Sequence, residues 1–314
     1  MAVRTICDGY YVDGDTGEMI PVVARSTITS EEEQENRKRK AEAYAERAEL
    51  ALLQKEMCGD FYWTLFNSRE EYYPSVTDSM LAKIVYLITY MDYGTNILMV
   101  RDSSTEPKRP MTKKDMQKII RLHRCKFSRF WDEMLATGII TEEDDGKLRV
   151  CKNFCKGKLT NKNAAAMKVF THAVKYMYEN VDVRSHRYIA YLFRLIPYIS
   201  LRYNIVCKNP LETNESAIEW MTVKEICQVL KIDESQAARF MNNLFSLEFV
   251  DRQGDKNSVV MFLKNTKNDE VRNFIIINPQ FYSGYMCQDD MRELLDDFKL
   301  IGNTKSADGG ITAP

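Results

Sequence analysis

The chain has 314 residues, 45% of them hydrophobic and 28% charged, which is enough for about two packed domains. No apolar run reaches the roughly 18 residues that a membrane span needs, and residues 1–24 lack the basic and apolar segments of a signal peptide. Eight scattered cysteines are typical of reduced thiols. We therefore expect a cytoplasmic globular protein without a membrane partner. Because the net charge is only −1, the local distribution of charge is the informative quantity.

The N-terminal part predicts a hairpin followed by a long helix. Residues 1–28 hold two short apolar pieces around Asp and Gly residues, a pattern typical of a small hairpin. Residues 29–73 open with good helix caps and contain no Gly or Pro before Met57, so they predict a long charged helix and a connector. The apolar positions on one side of this helix are Tyr44, Ala48, Ala51, Leu52 and the stem of Lys55. That side is expected to pack on the body or to form a homodimer contact.

Residues 74–163 show the order of elements of a winged helix. The patterns predict, in chain order, a helix Met80–Met91 followed by Gly94, a strand 96–100, a helix Lys113–Ile120 capped by Thr112, a turn 121–124 and a helix Lys126–Ala136 ended by Gly138. Two helices joined by a short turn form a helix-turn-helix. The strand-like pieces at 139–141 and 148–150 flank a turn and predict the wing.

The same order recurs in residues 187–300, at an offset of 110 residues. There the patterns predict a helix Tyr188–Ile199, a strand 204–206 and a second two-helix unit opened by Met221 and Thr222. When Met111–Thr141 is laid on Met221–Asp251 without a gap, the apolar positions keep their character throughout. The repeat therefore predicts a second winged helix.

The remaining segments complete the predicted organisation. A helix Ala164–Asn180, within a linking segment 164–186, is expected to join the two units, and residues 301–314 are expected to be a flexible tail. The predicted fold class is mainly α with small β wings (α+β), arranged as tandem winged-helix domains behind an N-terminal hairpin and a long charged helix.

Positive charge is concentrated on the first helix-turn-helix. Residues 108–130 contain nine basic residues against one acidic residue, Asp115. The basic run continues through Lys147, Arg149, Lys152, Lys156, Lys158, Lys162 and Lys168. Residues 221–245 of the second unit carry balanced charges. Because cations that neutralise phosphates release counterions, the first unit is the expected partner of double-stranded DNA.

The helical spacing assigns roles to these side chains. The apolar residues Phe127, Phe130, Trp131 and Met134 are expected to face the core, which leaves Lys126, Ser128 and Arg129 to read base edges in the major groove. The expected phosphate ligands are Lys113, Lys114, Arg121, Arg124, Lys147, Arg149, Lys152 and Lys156. The second-unit candidates for a further contact are Gln236, Arg239, Asn242 and Asn243. A neutral surface there makes a contact with protein or with a second copy an equal alternative.

Short motifs stand at both ends of the chain: the opening Tyr11–Glu18 is acidic and ends in a Gly-Glu pair, and the closing Ile277–Gly284 contains an Asn-Pro phrase that runs to a Gly. These motifs resemble those of the RepL-type winged-helix replication initiators of Firmicute plasmids and related phage DNA-binding proteins. The chain departs from the family by carrying two predicted winged helices and a long charged helix. The resemblance implies a phage or plasmid DNA-binding protein that acts in replication initiation or in transcriptional regulation.

No motif indicates an enzyme. A Gly-rich phosphate loop, a nucleophile elbow and a kinase signature are missing from the sequence, so we expect no catalytic residues and no cofactor. Cys151 and Cys155, with His123 and Cys125, do not have the spacing of a zinc finger, and we expect no metal. The alternative to a DNA-binding protein is an interaction protein whose winged helices dock on a host polymerase or replisome component.

Overall fold

A computed structural model describes residues 10–12, 19–21, 30–65, 76–157, 159, 165–267 and 270–308. Its α-helices are α1 (Ser30–Met57), α2 (Asp78–Ile88), α3 (Lys113–Ile119), α4 (Arg124–Ala136), α5 (Thr171–Asn180), α6 (His186–Leu195), α7 (Val223–Leu230), α8 (Ala237–Phe245) and α9 (Gln288–Asp308). Its strands are β1 (Tyr10–Val12), β2 (Met19–Pro21), β3 (Phe61–Leu65), β4 (Met99–Val100), β5 (Arg109–Pro110), β6 (Ile140–Glu142), β7 (Leu148–Val150), β8 (Phe154–Cys155), β9 (Ala166–Phe170), β10 (Glu248–Val250), β11 (Lys256–Ser258), β12 (Val260–Lys267), β13 (Glu270–Ile277) and β14 (Tyr282–Ser283). The chain is a mixed α+β protein with small antiparallel sheets.

Helices α3 and α4 and the hairpin β6–β7 form what we call the first unit. Thr112 caps α3 through a capping box, in which its hydroxyl accepts from the Asp115 N–H at 3.2 Å and the Asp115 carboxylate accepts from the Thr112 N–H at 2.9 Å. Arg121 then takes a left-handed conformation with φ 54°, which turns the chain from α3 into α4. The hairpin that follows pairs Ile140 with Val150.

Helices α7 and α8 and the hairpin β10–β11 form the second unit, which repeats these local features. Thr222 and Glu225 make the same capping box, with distances of 2.8 and 3.3 Å. Lys231, 110 residues after Arg121, is left-handed with φ 56°. The helix caps and the turn thus repeat at the offset that the sequence indicates.

A four-stranded antiparallel sheet has the strand order β14-β9-β3-β8. Its pairing follows an approximate two-fold axis that exchanges the half of the chain with the first unit and the half with the second unit. Its central strands pair Trp63 of β3 with Lys168 of β9. The outer strand β8 places Cys155 opposite Trp63, and the outer strand β14 places Ser283 opposite Lys168. A rotation that exchanges β3 with β9 therefore also exchanges β8 with β14.

Two asparagines obey the same symmetry. Asn96 and Asn204 are both left-handed, with φ 57° and 55°. The Asn96 side-chain amide donates to the Phe154 carbonyl at 2.7 Å, and the Asn204 amide donates to the Tyr282 carbonyl at 2.6 Å. Because Phe154 and Tyr282 occupy equivalent positions in β8 and β14, each asparagine fixes its own outer strand in the same way.

The two halves share one hydrophobic core within residues 50–314. Helix α2, whose N-cap is Thr77, packs against α6, its equivalent in the second half. Most of the buried apolar side chains form one connected cluster that extends from Tyr62 through both units to Tyr282. Such a continuous core couples the stability of one unit to that of the other.

Residues 1–49 form a separate unit. Strands β1 and β2 pair antiparallel, with Tyr11 opposite Ile20, as the hairpin pattern predicts. The N-terminal part of α1 carries ion pairs from Glu33 to Arg37 and from Glu35 to Arg39 at helical spacing. The acidic opening at 13–18, the connector residues 66–75 and the last residues 309–314 lie outside the described residues.

The end of α1 packs through a different face from the one the sequence indicates. Leu50, Leu53 and Met57 pack around the buried Phe170 and a part of α9. Leu52 is 66% exposed, and Ala51 is also exposed. The expected packing on the body was therefore wrong at these two positions, because the partner residues lie more than 100 positions away and leave no mark on the local spacing, while the alternative homodimer contact stays a prediction.

Several predicted elements have different bounds. The expected helix Ala164–Asn180 begins only at Thr171, because residues 166–170 form the central strand β9. The expected strand at 204–206 makes only isolated bridges, and that at 96–100 is a strand only over β4. The predicted tail at 301–314 is helical as far as Asp308. No helix in the described ranges is long and apolar enough to cross a membrane.

Candidate nucleic-acid interface

The first unit presents a cluster of exposed cations on two helices and the turn between them. The cluster consists of Lys114 and Lys118 on α3, Arg121 in the turn, and Arg124 and Lys126 at the start of α4. Within the described ranges none of these five side chains forms an ion pair with a carboxylate. We call these five residues the open cations. They are free to meet phosphates that come from outside the chain.

The base-reading candidates lie on the solvent face of α4. Phe127, Phe130, Trp131 and Met134 are buried, as their spacing predicts. Lys126, Ser128 and Arg129 are all exposed. The Arg129 side chain is 84% exposed, and its Nε donates to Glu133 Oε1 at 2.7 Å, one helical turn later. Arg129 therefore reaches solvent with its charge partly compensated.

Other cations of the basic window have structural partners. The Arg109 guanidinium lies between Asp102 and Asp115, at 2.6 and 2.7 Å. Because it donates to both carboxylates, it holds the pKa of Asp115 well below its usual range and supports the cap of α3. Lys113 lies over the Trp131 ring, with its Nζ 4.3 Å from the ring centroid. The effective positive charge of the window is thus smaller than its composition indicates.

The hairpin β6–β7 is acidic at its tip. Residues 142–145 are four consecutive carboxylates. Lys147 bonds to Asp145, and the Nε of Arg149 donates to Glu143 Oε1 at 2.5 Å. These two expected phosphate ligands are therefore engaged within the hairpin, and its tip would repel a DNA backbone. Lys152, beyond the hairpin, is exposed.

Two cations of the continuing basic run are largely buried. The Lys156 side chain is only 14% exposed, its Nζ lies 3.8 Å from an Asp60 carboxylate oxygen, and burial lowers its pKa. Lys168 lies in the central strand β9, bonds to Gln54 and packs over the rings of Phe61 and Trp63; burial lowers its pKa to about 8. The assignment of Lys156 as a phosphate ligand is therefore corrected. The sheet partners that bury both lysines are not apparent from local sequence.

Two lysines in and beside the second unit pair with carboxylates, whereas Lys231 and Arg239 form no ion pair among the described residues. Lys224 pairs with Glu234 at 3.1 Å, and Lys208 pairs with Glu225 of the capping box at 2.5 Å. The candidates Gln236, Arg239 and Asn242 are exposed, at positions equivalent to Lys126, Arg129 and Asp132. Asn243 is half-buried and donates to the Tyr188 hydroxyl at 2.7 Å, which ties α8 to α6. Asn243 is therefore better described as a packing residue.

Three further cations that the sequence did not single out converge on the first unit. Lys83 of α2, Arg184 and Arg187 line a cleft together with Lys126 and Arg129. Lys83 lies about 100 residues before the other two, which are close together at the start of α6. Only the packing of α2 and of the α5–α6 connection against the helix-turn-helix brings them together.

No group of three or more His, Cys, Asp or Glu side chains suited to a metal ion occurs within the described ranges. Cys125 is exposed on α4, whereas Cys151 and Cys155 are half-buried beyond the hairpin. No known family model, curated protein or solved structure matches this chain.

Proposed function

We propose that this chain is a sequence-specific double-stranded DNA-binding protein that meets DNA through the first unit, acting as a winged helix. The observation that carries the proposal is the group of open cations on α3, the turn and α4, which are exposed and have no carboxylate partner among the described residues. Such a cluster on a helix-turn-helix fits the phosphates on both sides of a major groove.

In this arrangement α4 is the recognition helix. Lys126 and Arg129 lie near its N-terminal end and face solvent, where an Arg or Lys side chain can bond guanine edges. Lys114, Lys118, Arg121 and Arg124 surround them and contact phosphates. The acidic hairpin tip at 142–145 stays away from the backbone, so DNA is held by the helices and not by the wing.

The biological role that we propose is replication initiation or transcriptional regulation on a phage or plasmid. It is supported by the resemblance of the chain ends to RepL-type initiators and by the two helix-turn-helix units. The DNA site would serve as an origin or an operator.

Fluorescence anisotropy with a labelled random duplex tests the proposal. The double variant Lys126→Ala with Arg129→Ala should weaken binding by roughly ten-fold or more, because it removes two charged contacts. The matched control is Gln236→Ala with Arg239→Ala at the equivalent positions of the second unit, and it should change affinity by less than about three-fold. The absence of duplex binding by the wild-type chain would refute the proposal.

One observation favours a second function for the second unit. Lys224 and the neighbouring Lys208 pair with carboxylates, and Leu211 in the preceding loop is 62% exposed. A neutral helix-turn-helix with an exposed apolar residue suits a protein partner, such as a polymerase or replisome component, better than DNA. A Leu211→Glu variant that keeps duplex affinity but loses a replication or transcription activity would support this role.

A further inference from the structure

A cleft of about 660 Å³ opens beside the recognition helix. Its walls are the start of α2, the turn between α3 and α4, one side of α4, and the connection from α5 to α6. The volume lies within the range of small-molecule sites, roughly 300–1,000 Å³. Because the walls come from four separate segments within one packed unit, the cleft is a formed feature of the fold and not a groove on a single helix.

Six cations line this cleft. They are Lys83, Arg121, Lys126, Arg129, Arg184 and Arg187. Only Arg129 has an ion pair in the described part of the chain. Burial lowers the pKa of Lys83, whose ammonium group bonds only to the backbone and hydroxyl of Ser79 among described residues. An excess of like charge in one concave site is unfavourable until an anion enters it.

The two carboxylates that line the cleft, Glu133 and Glu179, each already accept a hydrogen bond. Glu133 accepts from Arg129 at 2.7 Å, and Glu179 accepts from the Tyr86 hydroxyl at 2.6 Å. Six cations against these two carboxylates leave the lining with a formal excess of four positive charges. The excess positive charge remains available to a ligand.

The floor of the cleft is apolar and contains one unmatched polar atom. Phe130 and the stacked rings of Tyr178 and His186 contribute to it, with the latter two ring centroids 4.3 Å apart. His186 is 9% exposed, and its Nε2 is buried without a hydrogen-bond partner among the described residues. Val183 at the rim is 77% exposed. A ligand that covers this floor would bury apolar surface.

We propose that this cleft binds a small phosphorylated molecule, with its phosphates among the six cations and its less polar part over the Phe130 floor. Guanidinium groups suit phosphate because their paired N–H donors match its oxygens. The site stands independently of DNA binding. It adds regulation to the proposed function, because Lys126 and Arg129 belong both to the cleft and to the base-reading face. A bound ligand would then compete with DNA.

Isothermal titration of the full chain with inorganic triphosphate, in chelator and at constant ionic strength, tests the site. Wild-type protein should bind triphosphate, and Arg184→Ala with Arg187→Ala should weaken this binding at least about ten-fold. The matched control is Arg202→Ala with Arg239→Ala, which removes two exposed arginines outside the cleft; Arg202 lies over Tyr203 as Arg187 lies over Tyr188. The control should bind triphosphate within about two-fold of wild type.

The result that would overturn the proposal is no triphosphate binding by wild type, or equal weakening in the cleft variant and the control. Thermal unfolding without ligand checks that both variants fold. A separate anisotropy titration with duplex DNA keeps the two proposals apart. If the cleft variant binds duplex normally and the wild type ignores triphosphate, only the cleft proposal fails. If triphosphate binds but no duplex does, only the DNA proposal fails.

Discussion

The first and second units are two copies of one local design that differ in surface chemistry. Both begin with a Thr capping box, and both turn at a left-handed cation, Arg121 or Lys231. The charged positions that differ include the matched pairs Lys118 and Gln228, Arg124 and Glu234, Lys126 and Gln236, and Glu133 and the half-buried Asn243. Caps and apolar positions are thus shared by the two units, whereas the proposed DNA-binding function depends on surface side chains that differ between them.

The largest effect is expected when three cations of the first unit are replaced by the residues at the matched positions of the second unit. In the triple variant Lys118→Gln, Arg124→Glu and Lys126→Gln, duplex affinity at about 0.1 M salt should fall on the order of 100-fold or more, because three phosphate or base contacts disappear. Anisotropy measures the loss.

The control for that variant removes three cations from the second unit through Lys224→Ala, Lys231→Gly and Arg239→Ala. Glycine is chosen at 231 because the backbone there is left-handed. Affinity should change by less than about three-fold. Equal losses in both variants would mean that the two units share one DNA surface.

The next largest effect is expected at Gly284, which follows β14 and packs tightly against Leu201. A Cβ at Gly284 would lie 2.3 Å from the Leu201 carbonyl oxygen and 2.6 Å from its Cα, and neither backbone atom can move aside cheaply. The equivalent position after β8 is Lys156, which carries a long side chain. Gly284→Ala should lower the free energy of unfolding by about 1–3 kcal/mol, measured by urea denaturation. A change below about 0.5 kcal/mol would contradict the symmetry-based comparison.

The capping-box carboxylates Asp115 and Glu225 should make the stability of the fold fall at acid pH. The bond from Lys208 is the largest cause that lowers the pKa of Glu225 from its ordinary 4.5 to about 2, and Arg109 holds that of Asp115 lower still. A carboxyl whose pKa is depressed by folding stabilises the fold above its unfolded pKa, and this contribution is lost as pH falls through the folded pKa.

Stability should therefore decline between about pH 5 and pH 2, and the decline should be shallower in Glu225→Gln and shallower still in Asp115→Asn. Thermal melts across this pH range measure the effect. Parallel curves of melting temperature against pH for wild type and both variants would show that the capping boxes do not contribute to the pH dependence of stability.

The smallest expected effect concerns Glu133, the carboxylate that pairs with Arg129, which is a candidate for base contact. Glu133→Asn places the residue of the second unit next to Arg129 and removes an exposed ion pair. Duplex affinity should rise roughly two- to five-fold, because exposed pairs of this kind are worth about 0.2–1 kcal/mol. A fall in affinity would indicate that Glu133 positions Arg129 for DNA.

The parts of the fold that depend on local signals could be predicted from the sequence. Thr112, Thr222 and the apolar spacing of α4 placed both helix-turn-helix units, because caps and periodicity act within a few residues. The central sheet could not be predicted in this way. Residues 166–170 are continuous with a helical pattern, and only pairing with β3, about 100 residues earlier, makes them a strand.

The candidate site likewise has features that local sequence predicts and features that depend on tertiary packing. The exposure of Lys126 and Arg129 followed from the burial of their neighbours on one helix, which is a local property. The engagement of Arg149 by Glu143, the burial of Lys156, and the convergence of Lys83 with Arg187 depend on tertiary packing. Composition therefore overstated the charge of the hairpin and missed the cations of the cleft.

The salt dependence of duplex affinity tests the central claim most directly. If the four open cations assigned to phosphates make those contacts, the logarithm of the binding constant should fall against the logarithm of salt concentration with a slope of roughly −3 to −4, at about −0.9 per contact. The triple variant of the first unit should reduce this slope to about −2, and the second-unit control should leave it unchanged. A wild-type slope near zero, or the same slope in the triple variant, would contradict the assignment of DNA binding to the first unit.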